Sequence, residues 1–305
     1  MINTEFLDKI ILGTRGSKLA LWQANHVSDR LQAAGISVEI AVIKTQGDKI
    51  QHLGFDKLEG KGFFTKEIED ALLAGQVDFA VHSMKDLPTL QPEGLVLGGV
   101  SERADARDTM LIHADQLVSQ SPIRLKPGTI VGTSSVRRRV NLNYLFQDIE
   151  IKDIRGNVPT RIQKLRDREF DAVILAKAGL DRLEIGLSEF HVFHFHPSEF
   201  IPAPAQGVLA YQCRAEDKEM RKILLSIHSH ETAKCTNIER KILQLVEGGC
   251  HVPLGAHCQQ DANAYYHVHA CYAREVDHPL RRVKLSQSTS HQLADTVFKE
   301  LVSEA

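Results

Sequence analysis

KIILGTRGSKLA (residues 9–20) sets a short apolar run, a glycine-bounded turn and the start of a helical stripe side by side. Lys9–Leu12 reads as a strand. Ala20, Ala24, Val27, Leu31 and Ala34 mark the apolar face of the helix that follows, with Ser17 as its N-cap and Gly35 as its C-terminal stop. Val38, Ile40 and Val42 alternate as a second strand, a helix is expected around Thr65–Ala74, and Asp78–His82 reads as a third strand. This order predicts α/β layers around a largely parallel sheet.

The order recurs downstream. Thr129–Val131 is a strand, Gly132-Thr133-Ser134-Ser135 a turn and Val136–Phe146 a helix, followed by strand Ile149–Ile154, helix Thr160–Arg168 and strand Asp171–Ala176. Asp78-Phe79-Ala80-Val81 is echoed by Asp171-Ala172-Val173-Ile174, so two similar α/β domains facing each other are expected. Glu102–Asp108, charged and aperiodic, and Pro197–Pro204, stiffened by prolines, read as crossings out of the first domain and back. From about Cys235 the pattern changes. Thr236-Asn237-Ile238-Glu239 reads as a capping box, Tyr266, Val268, Ala270 and Tyr272 as a strand, and Leu293, Val297 and Leu301 as a final amphipathic helix. The expected domains are 1–103 with 204–225, 104–203, and a small α+β domain at 226–305.

At 305 residues the chain needs no disulfide or metal to hold its core, since a chain of this length buries about three-quarters of its unfolded surface. Lys plus Arg number 37 against 39 Asp plus Glu, a formal charge of −2, which disfavours a protein built to coat nucleic acid. No apolar run approaches the ~18 residues of a membrane span. Glu5 and Asp8 stand where a signal peptide carries basic residues, so secretion is not expected. The five cysteines (213, 235, 250, 258 and 271) are odd in number and scattered, which reads as reduced thiols in a cytoplasmic protein.

Nucleotide and metal motifs fail on spacing. Gly54 to Gly60-Lys61 has one residue too many for a P-loop and Gly62 where Ser or Thr is needed, and Gly13-Thr14-Arg15-Gly16 is not a dinucleotide fingerprint. Cys250-His251, His257-Cys258, His194 and His196 lack zinc-ligand spacing, so no metal is expected. Anion chemistry does stand out. Arg15, Arg137, Arg138 and Arg155 cluster at strand-to-helix turns, where free N–H groups and the helix dipole already favour an anion; this points to an anion-binding cleft, with Arg139 left to solvent. Lys85 and Asp86 follow the carboxyl end of a strand, where α/β sheets bind ligands. Cys250 sits on a Gly-Gly loop, a candidate reactive thiol.

Read together, GTRGSKLALWQ (13–23), KTQGD (44–48), GKGFFTKE (60–67), VHSMKDLPT (81–89), GTSSVRRR (132–139), DIRGNVPTR (153–161), LAKAGLDRL (175–183), APAQGVLA (203–210) and ERKILQLVEGGCHVPLGAH (239–257) closely resemble the porphobilinogen deaminase family, in order and over nearly the whole chain. The resemblance implies two α/β domains like those of periplasmic binding proteins plus a small α+β domain, and a cytoplasmic monomer with no nucleic-acid or membrane partner. It implies an enzyme of tetrapyrrole biosynthesis that condenses four porphobilinogen units head to tail, releasing ammonia, on a dipyrromethane cofactor, then hydrolyses off hydroxymethylbilane. Cys250 inherits the thioether to that cofactor, and Asp86 the catalytic carboxylate near the pyrrole nitrogens. Ser83, Lys85, Thr133, Ser134, Ser135, Arg137, Arg138, Arg155 and Gly156 match cofactor-binding positions. Arg15, Ser17, Arg161, Arg182 and Gln206 match substrate-binding positions, and Lys57, Lys61 and Phe64 fall in the mobile lid. Pro204 and Gln212 stand where many members carry Gly and Glu, in a stretch read as a helix returning to the first domain, and Pro159 falls at a helix start, where proline is tolerated.

Overall fold

A computed structural model describes residues 9–45, 65–120, 123–246 and 252–303. The chain runs through β1 (Ile10–Thr14), α1 (Lys18–Ala33), β2 (Val38–Val42), α2 (Lys66–Leu73), β3 (Phe79–Ser83) and β4 (Leu95–Val100). It continues through β5 (Asp108–Ile112), the hairpin β6 (Leu117–Gln120) and β7 (Ile123–Leu125), β8 (Ile130–Gly132), α3 (Val136–Leu145) and β9 (Glu150–Lys152). Next come α4 (Val158–Arg166), β10 (Ala172–Ala176), α5 (Lys177–Leu183) and β11 (His191–His194). The last part is β12 (Leu209–Arg214), α6 (Lys218–Ser226), α7 (His230–Leu245), β13 (Leu254–Gln260), β14 (Tyr266–Tyr272), β15 (Arg281–Gln287) and α8 (Leu293–Val302). Met1–Arg103 with Val208–Ala233 forms one compact unit, and Ala104–Gly207 with Lys234–Ala305 the other.

Local chemistry sets the first elements. The Ser17 hydroxyl accepts from the Ala20 N–H at 3.2 Å and starts α1, and Gly35, at φ +82°, ends it. Ala24, Val27 and Leu31 then face a core shared with Ile223 and Leu224 of α6, while Ile68 and Leu72 of α2 cover the opposite face of the sheet. In the second unit Ser135 caps α3, and Asn157 caps α4, with Pro159 in the first turn, where no intrahelical N–H is lost.

The first sheet has strand order β2-β1-β3-β12-β4, with β12 antiparallel to both neighbours. The second has order β9-β8-β10-β5-β11, with β5 antiparallel to both of its neighbours. The antiparallel member is the returning strand in one unit and the entering strand in the other. The sequence echo also has a physical cause. Asp78 accepts from the Ile11 N–H at 2.8 Å and Asp171 from the Ile130 N–H at 2.8 Å, and each donates its own N–H to that residue's carbonyl. The same paired bond locks β3 to β1 and β10 to β8.

Three sequence expectations are corrected. Asp108 opens a strand whose five residues are all buried, although Glu102–Asp108 read as a charged linker. The stretch around Gln212 is a strand, not a helix; it lies in mid-sheet with both faces covered, so the two-residue alternation that marks a strand is missing. Thr236 does not start a helix, because α7 runs unbroken from His230 and the Ser229 hydroxyl accepts from the Thr232 N–H at its true beginning. Glu239 is instead fully buried, and its carboxylate accepts from the N–H groups of Ala205 at 2.7 Å and Cys258 at 2.6 Å.

β13, β14 and β15 form an antiparallel sheet. Ile242 of α7 and Val297 and Leu301 of α8 pack on it in a separate core. The crossing at Gly207 is tight: the Ala104 N–H donates to its carbonyl, and a Cβ there would lie 2.6 Å from the Ala104 oxygen, at φ +88°. Only glycine fits that passage.

Candidate functional site

β1 and β3 run parallel, so the turns that follow them share one edge of the first sheet. Arg15 and Ser17 leave β1 there. Ser83, at the end of β3, accepts from the Gln23 amide of α1 at 2.9 Å. A single 3₁₀ turn, Met84–Asp86, follows. Buried Met84 and Leu87 clamp it from inside, which leaves Lys85 half-buried and Asp86 exposed at the rim. The turn thus presents a carboxylate outward from a rigid strand end.

Behind this edge lies a buried polar chain. His82 Nε2 and Gln212 Oε1 are 3.1 Å apart, and the Gln212 amide donates to Gln91 at 2.9 Å and to Glu69 at 3.4 Å. An amide oxygen only accepts, so Nε2 carries the proton. Burial, against the raising effect of the Gln212 bond and helped by the Arg15 charge, lowers the His82 pKa from 6.5 to about 4. The unfolded chain therefore takes up this proton first as pH falls. Stability that is intact above about pH 6.5 should drain away down to about pH 4, by up to about 3 kcal/mol. Melting curves of wild type and His82→Gln across that range check this; equal slopes would show that His82 titrates normally.

In the second unit, β8, β9 and β10 are parallel, and their carboxyl ends carry the hydroxyl and arginine turns. The loop hydroxyls first hold the loop itself. Thr133 Oγ1 accepts from the Ser135 N–H, Ser134 Oγ donates to the Ile154 carbonyl at 2.8 Å and accepts from its N–H, and Ser135 Oγ accepts from the Arg138 N–H. Gly156, at φ +105°, turns the chain into α4, and Arg161 Nε donates to its carbonyl at 2.8 Å. Arg155 is half-buried beside it, and Arg182 donates to the Gly207 carbonyl at 2.9 Å.

Asp108, which the sequence reading left in a linker, joins several of these residues. It opens β5 opposite Ala176, at the same edge, and is fully buried. Arg137 Nη1 donates to its Oδ2 at 2.7 Å, Arg138 Nε and Nη2 to its Oδ1 at 3.1 and 2.8 Å, and the Gln206 amide to Oδ1 at 3.1 Å. Arg137 also donates to the Ile201 carbonyl and Arg138 to the Ile174 carbonyl, both at 2.8 Å. Both arginines are thus buried, not solvated, whereas Arg139 turns outward to Asp153. The one available signal was an acid placed two residues before the apolar run Met110–Ile112.

Cys250, Lys57, Lys61 and Phe64 lie outside the described residues. Cys213, Cys235, Cys258 and Cys271 are all buried, with no disulfide among them. Among the described residues no group of three His, Cys, Asp or Glu could hold a metal.

Residues 10–222 match the family model described as porphobilinogen deaminase, dipyromethane cofactor binding domain. A porphobilinogen deaminase of Nitratiruptor sp. is 46% identical over 247 residues, 81% of this chain and 77% of that one. One from Maridesulfovibrio salexigens is 46% identical over 258 residues, 84% of this chain and 82% of its own. Among solved structures, the methionine binding protein MetQ aligns at 12% identity and TM-score 0.46 over 76% of this chain and 94% of its own.

Proposed function

The chain belongs to the porphobilinogen deaminase family, and from that membership we propose which of its residues carry each part of the reaction. The activity is that of hydroxymethylbilane synthase, a transferase that joins porphobilinogen units head to tail with loss of ammonia and then releases the product by hydrolysis. Its cofactor is a dipyrromethane, which when bound supplies the pyrrole carbon on which the chain grows.

A polypyrrole bearing acetate and propionate groups is a polyanion, and the donors gathered at the two sheet edges suit it. Guanidiniums bind carboxylates through paired charge-assisted bonds. In this reading Ser83, Lys85, Thr133, Ser134, Ser135, Arg137, Arg138, Arg155 and the Gly156 turn hold the cofactor, and Arg15, Ser17, Arg161, Arg182 and Gln206 hold the substrate. Asp86 stabilises positive charge that develops on pyrrole nitrogen, Cys250 is the covalent anchor, and Lys57, Lys61 and Phe64 belong to a lid. The observation that carries the reading is that each sheet, taken by itself, carries basic and hydroxyl groups at its carboxyl edge, with the exposed Asp86 on the turn that ends β3 in the first.

We also propose a three-domain division at 1–103 with 204–225, 104–203 and 226–305, supported by the separate core beneath β13–β15. The chain works as a cytoplasmic monomer without nucleic acid. Its charge of −2 and its buried, unbridged described cysteines support this, and among the described residues no helix is long and apolar enough to cross a membrane.

Porphobilinogen supplied alone to the purified protein tests the reading. Ammonia release is expected, and Arg15→Leu should raise the KM about tenfold or more by removing one charge-assisted contact. Porphobilinogen bound without ammonia release would instead describe a non-catalytic anion-binding module.

A further inference from the structure

We infer that Asp108 is a positioning residue: one buried carboxylate, itself braced by the Gln206 amide, that aims Arg137 and Arg138 at the carboxylates of the cofactor and the growing chain. The inference rests on the roles proposed above for those two arginines.

Its geometry is unusual for a side chain that merely neutralises a neighbour. Asp108 is fully buried, and both of its oxygens accept, Oδ2 from Arg137 and Oδ1 from Arg138 and Gln206. Two consecutive residues of a helix point about 100° apart, so Arg137 and Arg138 would ordinarily diverge. A shared acceptor draws both guanidiniums to one place at the start of α3, and Nη1 of each also donates to a backbone carbonyl, that of Ile201 or Ile174. Arg137 spends only Nη1 on described residues. Its Nε–Nη2 edge, the pair of donors that matches a carboxylate, is the edge it can offer a ligand.

The position in the chain supports the same role. Asp108 opens β5 where the chain enters the second unit, and Gln206 lies where it leaves, donating also to the Ala106 carbonyl at 2.8 Å. The carboxylate therefore ties the entering segment, the leaving segment and the Thr133–Ser135 turn into one rigid support. A guanidinium held this way loses little freedom when it meets its ligand, which is what preorganisation requires.

A double-mutant cycle on the full-length chain tests this. Asp108→Asn, Arg137→Gln and the double variant are compared in two readouts: the fraction of purified protein carrying the cofactor by intact mass, and KM for porphobilinogen against kcat at low and high salt. Asp108→Asn should reduce the loaded fraction, raise KM about tenfold or more and flatten its salt dependence. The double variant should be no worse than the worse single one, because the two residues act as a unit. Additive losses would overturn the inference. So would wild-type loading and KM in Asp108→Asn alongside a costly Arg137→Gln, which would leave the arginine's own role standing. A harmless Arg137→Gln would instead remove that role, and the inference with it. Should Asp108→Asn fail to fold, Asp108→Glu replaces it: the charge is kept and moved by one methylene, so a raised KM is expected and a wild-type KM and loading would overturn the proposal.

Discussion

Cys250→Ala is expected to give a folded chain that carries no dipyrromethane and turns over no porphobilinogen. No other described cysteine can take over the thioether. All four are buried, burial pushes the Cys213 thiol up to about 11, and burial also raises that of Cys271, so the thiolate that must attack is suppressed. The fold should survive, because Ile242 before residue 250 and Leu254 after it both pack in the core beneath β13–β15. Circular dichroism, intact mass and ammonia release read the three parts of this prediction separately. A variant that still carries the adduct would show that another nucleophile anchors it.

Asp86→Asn should keep the fold and the cofactor but lose about a hundredfold or more in kcat, the cost of removing one preorganised charge from a developing opposite charge. Met84 and Leu87 anchor the turn in the core, and Asp86 itself is exposed. The loss should therefore fall on kcat, with KM nearly unchanged. Asp86→Glu keeps the charge and moves it by a methylene, so a measurable remnant is expected. Asn turnover equal to wild type would reduce Asp86 to a turn residue before Leu87-Pro88.

The regular elements were legible because their signals are local. Ser17 and Gly35 bracket α1 by cap chemistry, Pro159 announces the start of α4, and the Asp78 and Asp171 echo reflects one bond made twice. β5 and β12 were hidden because strands covered on both faces show no alternation, and polar residues within them mimic linkers or helix faces. Asp108, Gln212 and Glu239 share that fate. Each is a buried polar group whose partners lie far along the chain, and sequence spacing says nothing about partners at such separations. For the same reason the place of Arg137 and Arg138 at a helix start was legible, while the buried carboxylate that accepts from both was not.

The most direct measurement is the intact mass of the purified wild-type chain, followed by peptide mapping of any added mass. The account predicts a protein heavier than its polypeptide by one dipyrromethane, with the adduct on the peptide that holds Cys250. A fully active preparation with the bare polypeptide mass, or an adduct on Cys213, Cys235, Cys258 or Cys271, would contradict it.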